Sequence, residues 1–197
     1  VGAAVPFLKE IPIEQIYDDV SSLYVTRRVA TSQPIRAFFY SNTNLRLNNF
    51  MSNMFPCTVE YDGRKFASVE HAYIYAKAIH IEDANLALTC LSNIDGRHLK
   101  SKYSPKFPSD ASARKWDALK VGVMRELITS KFNAQNLKKM LLETGDSLLA
   151  EANPRDTFWG TGMPYTDLSV VSSPSQITGK NVLGQLLMTL RAELSCD

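Results

Sequence analysis

The sequence is poor in the groupings that build metal and redox centres. Its three cysteines, Cys57, Cys90 and Cys196, lie far apart and form no CxxC pair. That excludes a zinc ribbon or thioredoxin-like motif and fits a reduced, intracellular protein, cytoplasmic or nuclear. The three histidines, His71, His80 and His98, have no metal-ligand spacing. Long apolar runs are missing as well. None approaches the roughly 20 residues that span a bilayer, so no membrane association is expected. Charge of one sign is not in excess, with 22 basic against 20 acidic residues and a net charge of +2. This balance excludes a protein that coats nucleic acid by bulk electrostatics, while leaving room for a weak nucleic-acid contact or a local basic patch for a phosphorylated ligand. The chain begins Val1-Gly2-Ala3-Ala4-Val5-Pro6. Without a Met, or a basic stretch before an apolar core, it reads as a processed or trimmed start rather than a signal peptide.

What is present is the composition of a globular chain. Of 197 residues, 45% are hydrophobic and 21% charged, enough for one sizeable core and one domain. Residues 1–35 read as an N-terminal extension. Ile13, Ile16, Tyr17, Val20, Leu23 and Tyr24 recur at helical spacing, which predicts one amphipathic helix near 12–25. The remaining residues, 36–197, read as the domain proper. A strand is expected at 36–40, followed by an Asn-rich loop at 41–49. Strand-like runs at 57–61 and 64–67 flank Asp62-Gly63, a strong hairpin signal. Ser68 is placed to cap a helix over 69–81. Further helices are expected at 82–91, 95–102, from Ser109 or Ser112 to 132, at 136–143 (ending near Gly145) and at 180–194, with a strand at 147–152 and a Ser/Pro-rich loop at 169–175.

Five segments mix residue types that core packing does not ask for. Residues 156–162 combine Asp156, Phe158 and Trp159 with Gly160 and Gly162. A carboxylate beside flat rings suits polar chemistry, whereas an Asx-turn and a core-capping Trp explain the same residues blandly. On a helix from 69, Glu70, Tyr73, Ile74 and Lys77 share a face, so a carboxylate and an ammonium frame a space two turns long. His71 points elsewhere and reads as a packed histidine. Ser52-Asn53, flanked by aromatics, offers loop hydrogen bonds to a ligand or simply makes a turn. Arg114 and Trp116 offer a cation and a stacking surface, or a solvated charge and a core ring. Gly179-Lys180-Asn181 opens the last helix, where an anion is received or a plain cap is made.

In this order the segments resemble the NADAR (YbiA-like) family. The matching blocks are SNMFP (52–56), YDGRKFASVEHAYIYAKA (61–78), RKWDALKVGVM (114–124), KF (131–132), LLETGDSLLAEANPRDTFWGTG (141–162) and GKNVLGQLLMTLR (179–191). The resemblance covers about residues 38–194. It implies a mainly α fold, an orthogonal helical domain with a small antiparallel β-sheet or hairpin. It also implies N-glycosidase activity on the bond between a ribose phosphate or ADP-ribose and a nitrogenous base. The substrate classes that the resemblance implies are ADP-ribose attached to guanine in nucleic acid and early riboflavin-pathway intermediates. By motif match the family's functional Glu and Asp fall on Glu70 and Asp156, and its two Trp on Trp116 and Trp159. Met54, where many members carry an aromatic, bears on substrate choice.

The implied chemistry suits these residues. Breaking an N-glycosidic bond builds positive charge on the anomeric carbon, which carboxylates stabilise while activating water. We therefore expect Glu70 and Asp156 as catalytic residues. Trp116, Trp159, Ser52, Asn53, Lys77, Arg114, Gly160 and Asn181 are expected to bind substrate, the cations and the last helix start holding its phosphates. No metal or cofactor is called for. Two other readings carry over, a non-catalytic ADP-ribose or NAD-binding module and an interaction domain whose N-terminal helix docks a partner. The oligomeric state is not legible.

Overall fold

A computed structural model of the chain describes residues 35–38, 49–92, 96–102, 106–168 and 174–196. The helix expected near 12–25, the Asn-rich loop at 41–48 and the segment 169–173 lie outside the described residues.

Asp62 (φ 51°) and Gly63 (φ 66°) both adopt positive φ between β2 (Val59–Tyr61) and β3 (Arg64–Phe66), as a two-residue hairpin of the primed type requires. Directly after it, the Ser68 hydroxyl accepts from the His71 amide and opens α1 (Val69–His80). Asp83 does the same for α2 (Ala84–Cys90) through the Leu86 amide, at 2.9 Å. After α3 (Gly96–Lys102), Ser109 caps the long helix α4 (Asp110–Phe132). Helix α5 (Gln135–Leu142) is followed by Gly145 at φ 55°. The chain then runs through β4 (Leu148–Glu151), a single-turn α6 (Tyr165–Leu168), a 3-10 turn Pro174–Gln176 and α7 (Val182–Leu194). Neither α6 nor the 3-10 turn is announced by the sequence pattern.

The expected mainly helical fold with a small antiparallel element is present, and a second pairing joins it. β1 (Ile35–Phe38) runs parallel to β4, Ile35 opposite Leu148 and Phe38 opposite Glu151. The core is helical. Ala72, Ile74 and Ala78 of α1, Val123, Met124, Leu127 and Ile128 of α4, and Leu183, Leu186, Leu187 and Leu190 of α7 are all buried. The apolar stripes at helical spacing predict this burial.

Two residues lock α7 against β4. A Cβ on Gly184 would lie 2.2 Å from the Leu149 carbonyl oxygen, so only glycine permits the approach. Asn181, in the left-handed region at φ 51°, donates its amide to Leu149 O (2.8 Å) and accepts from the Glu151 amide (3.0 Å).

Candidate active site

Helix α1 carries one wall of the site. Its N-cap and hairpin connection set Glu70 in the first turn, where the Glu70 amide donates to Asn53 O at 2.9 Å. The Ser52-Asn53 turn and the head of α1 are thereby one unit. Glu70 is only 5% exposed, and its charge is met by Lys100 of α3 at 3.3 Å. Burial works against a charge on Lys100, yet the carboxylates of Glu70, Glu151 and Asp156 together raise its pKa above the ordinary lysine value. A cation thus stands among three carboxyl groups that come from α1, from the end of β4 and from the loop after it.

One turn along α1, Tyr73 meets both tryptophans. Its ring lies 5.4 Å from Trp116 and 5.8 Å from Trp159, the latter edge-on at 87°. Burial pushes the Tyr73 phenol pKa up, and the charge of Glu70 adds to it, while hydrogen bonding from both indoles opposes. Phe158 extends the wall, 5.0 Å from Trp159. Another turn on, Lys77 lies over the rings of Phe107 (5.1 Å) and Trp116 (6.0 Å), and burial lowers its pKa. Lys120, paired to Asp117 at 2.7 Å, stands 3.9 Å from the Phe158 centroid, and Lys180 stands 5.6 Å from it. Carboxyl groups at one end, rings in the middle and ammonium groups beyond make a surface suited to a ligand with a sugar, a flat base and phosphate.

The loop carrying Trp159 is built by Asp156. Its Oδ1 accepts from the amides of Phe158 (3.0 Å) and Trp159 (2.8 Å), the Asx-type turn that its sequence context allows. Any direct role toward a ligand therefore falls on Oδ2.

Several expected binding residues have structural partners instead. Trp116 is 3% exposed and backs Tyr73 and His80, so it supports the aromatic wall rather than offering a free face. Arg114 precedes Trp116 by two residues, about 160° away around the helix, and is exposed with no described contact to the cluster. Gly160 leaves room for its own loop, since a Cβ there would sit 2.9 Å from Asp156 O. Asn181 has both ends of its amide engaged on β4. The helix start around it takes no phosphate on its first amides. Asn181, Val182 and Leu183 donate to the carbonyls of Gly160, Phe158 and Trp159 at 3.0–3.1 Å. The Ser52 hydroxyl accepts from the Met54 amide (3.2 Å), closing a turn. The Asn53 side chain donates to the Met124 sulfur, and its Oδ1 is buried without a hydrogen-bond partner.

Two groups near the cluster escape a reading of the sequence. Glu151 closes β4 and carries a buried Oε2 with no hydrogen-bond partner. Its only signal is that it is the charged residue ending an otherwise buried strand. Lys100 lies on a short helix that has no motif of its own. Among the described residues, no group of three or more His, Cys, Asp or Glu side chains could hold a metal ion. None of these helices is long and apolar enough to cross a membrane. A groove of about 530 Å³ lies elsewhere, lined by Glu60 and by α4 residues including Leu119, Gly122 and Glu126. It includes none of the clustered side chains.

Fold and cluster together define a class, a mostly helical domain with carboxyl groups and rings gathered at the head of one helix. The NADAR domain matches residues 38–195, and the chain belongs to that family. It is 31% identical over 144 residues to N-glycosidase Npun_R5314 of Nostoc punctiforme, covering 73% of this chain and 83% of that protein. It is 30% identical over 176 residues to riboflavin biosynthesis protein VVA0006 of Vibrio vulnificus, covering 88% of this chain but only 42% of that longer protein. The solved NMR structure of E. coli YbiA shares the fold, with a TM-score of 0.59, 23% identity and coverage of 86% and 91% of the two chains.

Proposed function

We propose that the chain hydrolyses the N-glycosidic bond between a phosphorylated ribose, ADP-ribose first among candidates, and a nitrogenous base. The observation that carries this reading is the buried, Lys100-paired Glu70 set one helical turn from the Tyr73–Trp159 wall. Relatives named N-glycosidase support the reaction class. In this reading the base lies against Tyr73 and Trp159, while Lys77, Lys120 and Lys180 meet phosphate. Glu70 takes the proton of the attacking water, and Asp156 Oδ2 faces the ribose as positive charge develops. The relative named for riboflavin biosynthesis favours a second substrate, a ribosylaminopyrimidine phosphate. An intracellular setting belongs to the same proposal and is supported by Cys57, Cys90 and Cys196 being free thiols. So does the division of the chain into an extension, 1–35, and a catalytic domain, 36–197.

The test is parallel incubation with ADP-ribosylated DNA, ADP-ribosylated RNA and ribosylaminopyrimidine phosphates, with chromatography of the free base. Release from one of them is expected. Calorimetric binding without release would assign the chain to the binding modules, and release from none would refute the reaction class.

A further inference from the structure

We propose that Glu151 is the general acid of this site, delivering a proton to the nitrogen of the departing base. The inference rests on the glycosidase reading and narrows its substrate to bases that leave through a nitrogen needing protonation, as opposed to an already cationic pyridinium.

The backbone around Glu151 is unusually well fixed. Its amide donates to Asn181 Oδ1 at 3.0 Å. Its carbonyl oxygen accepts from the Thr161 hydroxyl (2.8 Å), the Thr161 amide (3.0 Å) and the Asn153 amide (3.0 Å). A backbone held from both sides fixes the direction in which the side chain leaves it. Yet Oε2 of that side chain is buried without a partner. An ionised carboxylate in that position would carry a large desolvation cost. A neutral carboxyl avoids most of it, and its O–H then needs an acceptor that the described residues do not supply.

The neighbouring carboxylates act in the same direction. Burial comes first, the Asp156 and Glu70 carboxylates add to it and Lys100 opposes, and the outcome is a pKa pushed up to about 8. At neutral pH the group holds its proton while Glu70, paired to Lys100, is placed to accept one. Two carboxyl groups in contrasting surroundings then take the two proton-transfer roles.

The step balances without any further reactant. The C1′–N bond breaks with its electron pair going to the base nitrogen, which takes the Glu151 proton. Water bonds to C1′ and loses its proton to Glu70. Exchange with solvent restores both carboxyl groups, and the sum is hydrolysis.

The experiment compares the full chain with Glu151→Gln and Glu151→Asp over pH 5–10, on whichever ribosylated base the wild type releases. Wild-type kcat should fall on the alkaline side as Glu151 loses its proton. Glu151→Gln should lower kcat by roughly 10²–10⁴-fold, leave KM little changed and abolish that alkaline fall. Glu151→Asp, which keeps the acid, should retain the fall at a reduced rate. Near wild-type kcat in Glu151→Gln, or an unchanged alkaline fall, overturns the inference and leaves the glycosidase reading standing. No release by the wild type overturns both. If Glu151→Gln does not fold, the decision passes to Glu151→Asp and to the ¹³C titration of the wild-type carboxyl. A Glu151 carboxyl that titrates in the ordinary glutamate range sinks the proposal.

Discussion

Lys131→Met should leave the protein at least as stable as the wild type at pH 7, and clearly less stable by comparison at pH 10. Lys131 is 1% exposed. Its ammonium donates to the Ser52 carbonyl at 2.8 Å and sits 5.3–5.6 Å from the rings of Phe132 and Phe55. Burial lowers its pKa from 10.5 to about 8, with a small counter-effect from Cys57. At 1.36 kcal/mol per unit, keeping the charge inside costs about 3 kcal/mol at neutral pH. Methionine removes that cost. It also loses one charged hydrogen bond worth about 1.5–3 kcal/mol, so the two effects nearly cancel. Ser52 O keeps its bond from the Phe55 amide at 3.1 Å and is not orphaned. For a group whose folded pKa is depressed, the unfolded chain binds more protons between the two pKa values. Wild-type stability therefore rises from about pH 8 to 10.5, and is lost again as pH falls through the folded value. The methionine variant has no such rise. Urea unfolding of both proteins from pH 7 to 10, in a Cys57→Ala background to remove the neighbouring thiol, measures the difference directly. A difference that does not vary with pH would refute the assignment of the depressed pKa to Lys131.

Three substitutions probe the rest. Glu70→Gln should lower kcat by roughly 10²–10⁴-fold while calorimetry still detects ligand binding, and near wild-type turnover would count against Glu70 as the base. Trp159→Ala should raise KM and lower kcat/KM by roughly tenfold to a hundredfold, on a stacking contribution of about 1–3 kcal/mol, and an unchanged KM would argue against base stacking. Gly184→Ala should destabilise by roughly 3 kcal/mol in urea unfolding, at the upper end of overpacking costs, because its Cβ meets the Leu149 backbone rather than a flexible side chain.

Local chemistry was readable along the chain. The Asp62-Gly63 hairpin, the Ser68 cap and the helical stripes on α4 and α7 are each set by residues within a few positions of one another. What escaped was long-range. Nothing near residue 36 says that it pairs in parallel with residue 149, because neither strand carries a register signal for a partner so distant. For the candidate site, Glu70 and Trp159 stand out in the sequence because a carboxylate in a first turn and a Trp beside glycines are locally odd. Asn181 and Gly160 are locally odd as well, and both are engaged in the packing of β4, α7 and the loop between them. Glu151 does not stand out in the sequence because its character comes from burial and then from charged neighbours on two helices and a loop, none of which its place in a strand announces.

The hydrogen bonds between residues 157–161 and 179–183 have a kinetic consequence. The first amides of α7 are held by the carbonyls of the very loop that presents Trp159. That loop cannot swing open while the helix start stays protected. Amide exchange at Val182 and Leu183 should therefore follow the opening of the Trp159 wall and slow when a ligand occupies it, which makes two buried helix residues a clock for events at the surface.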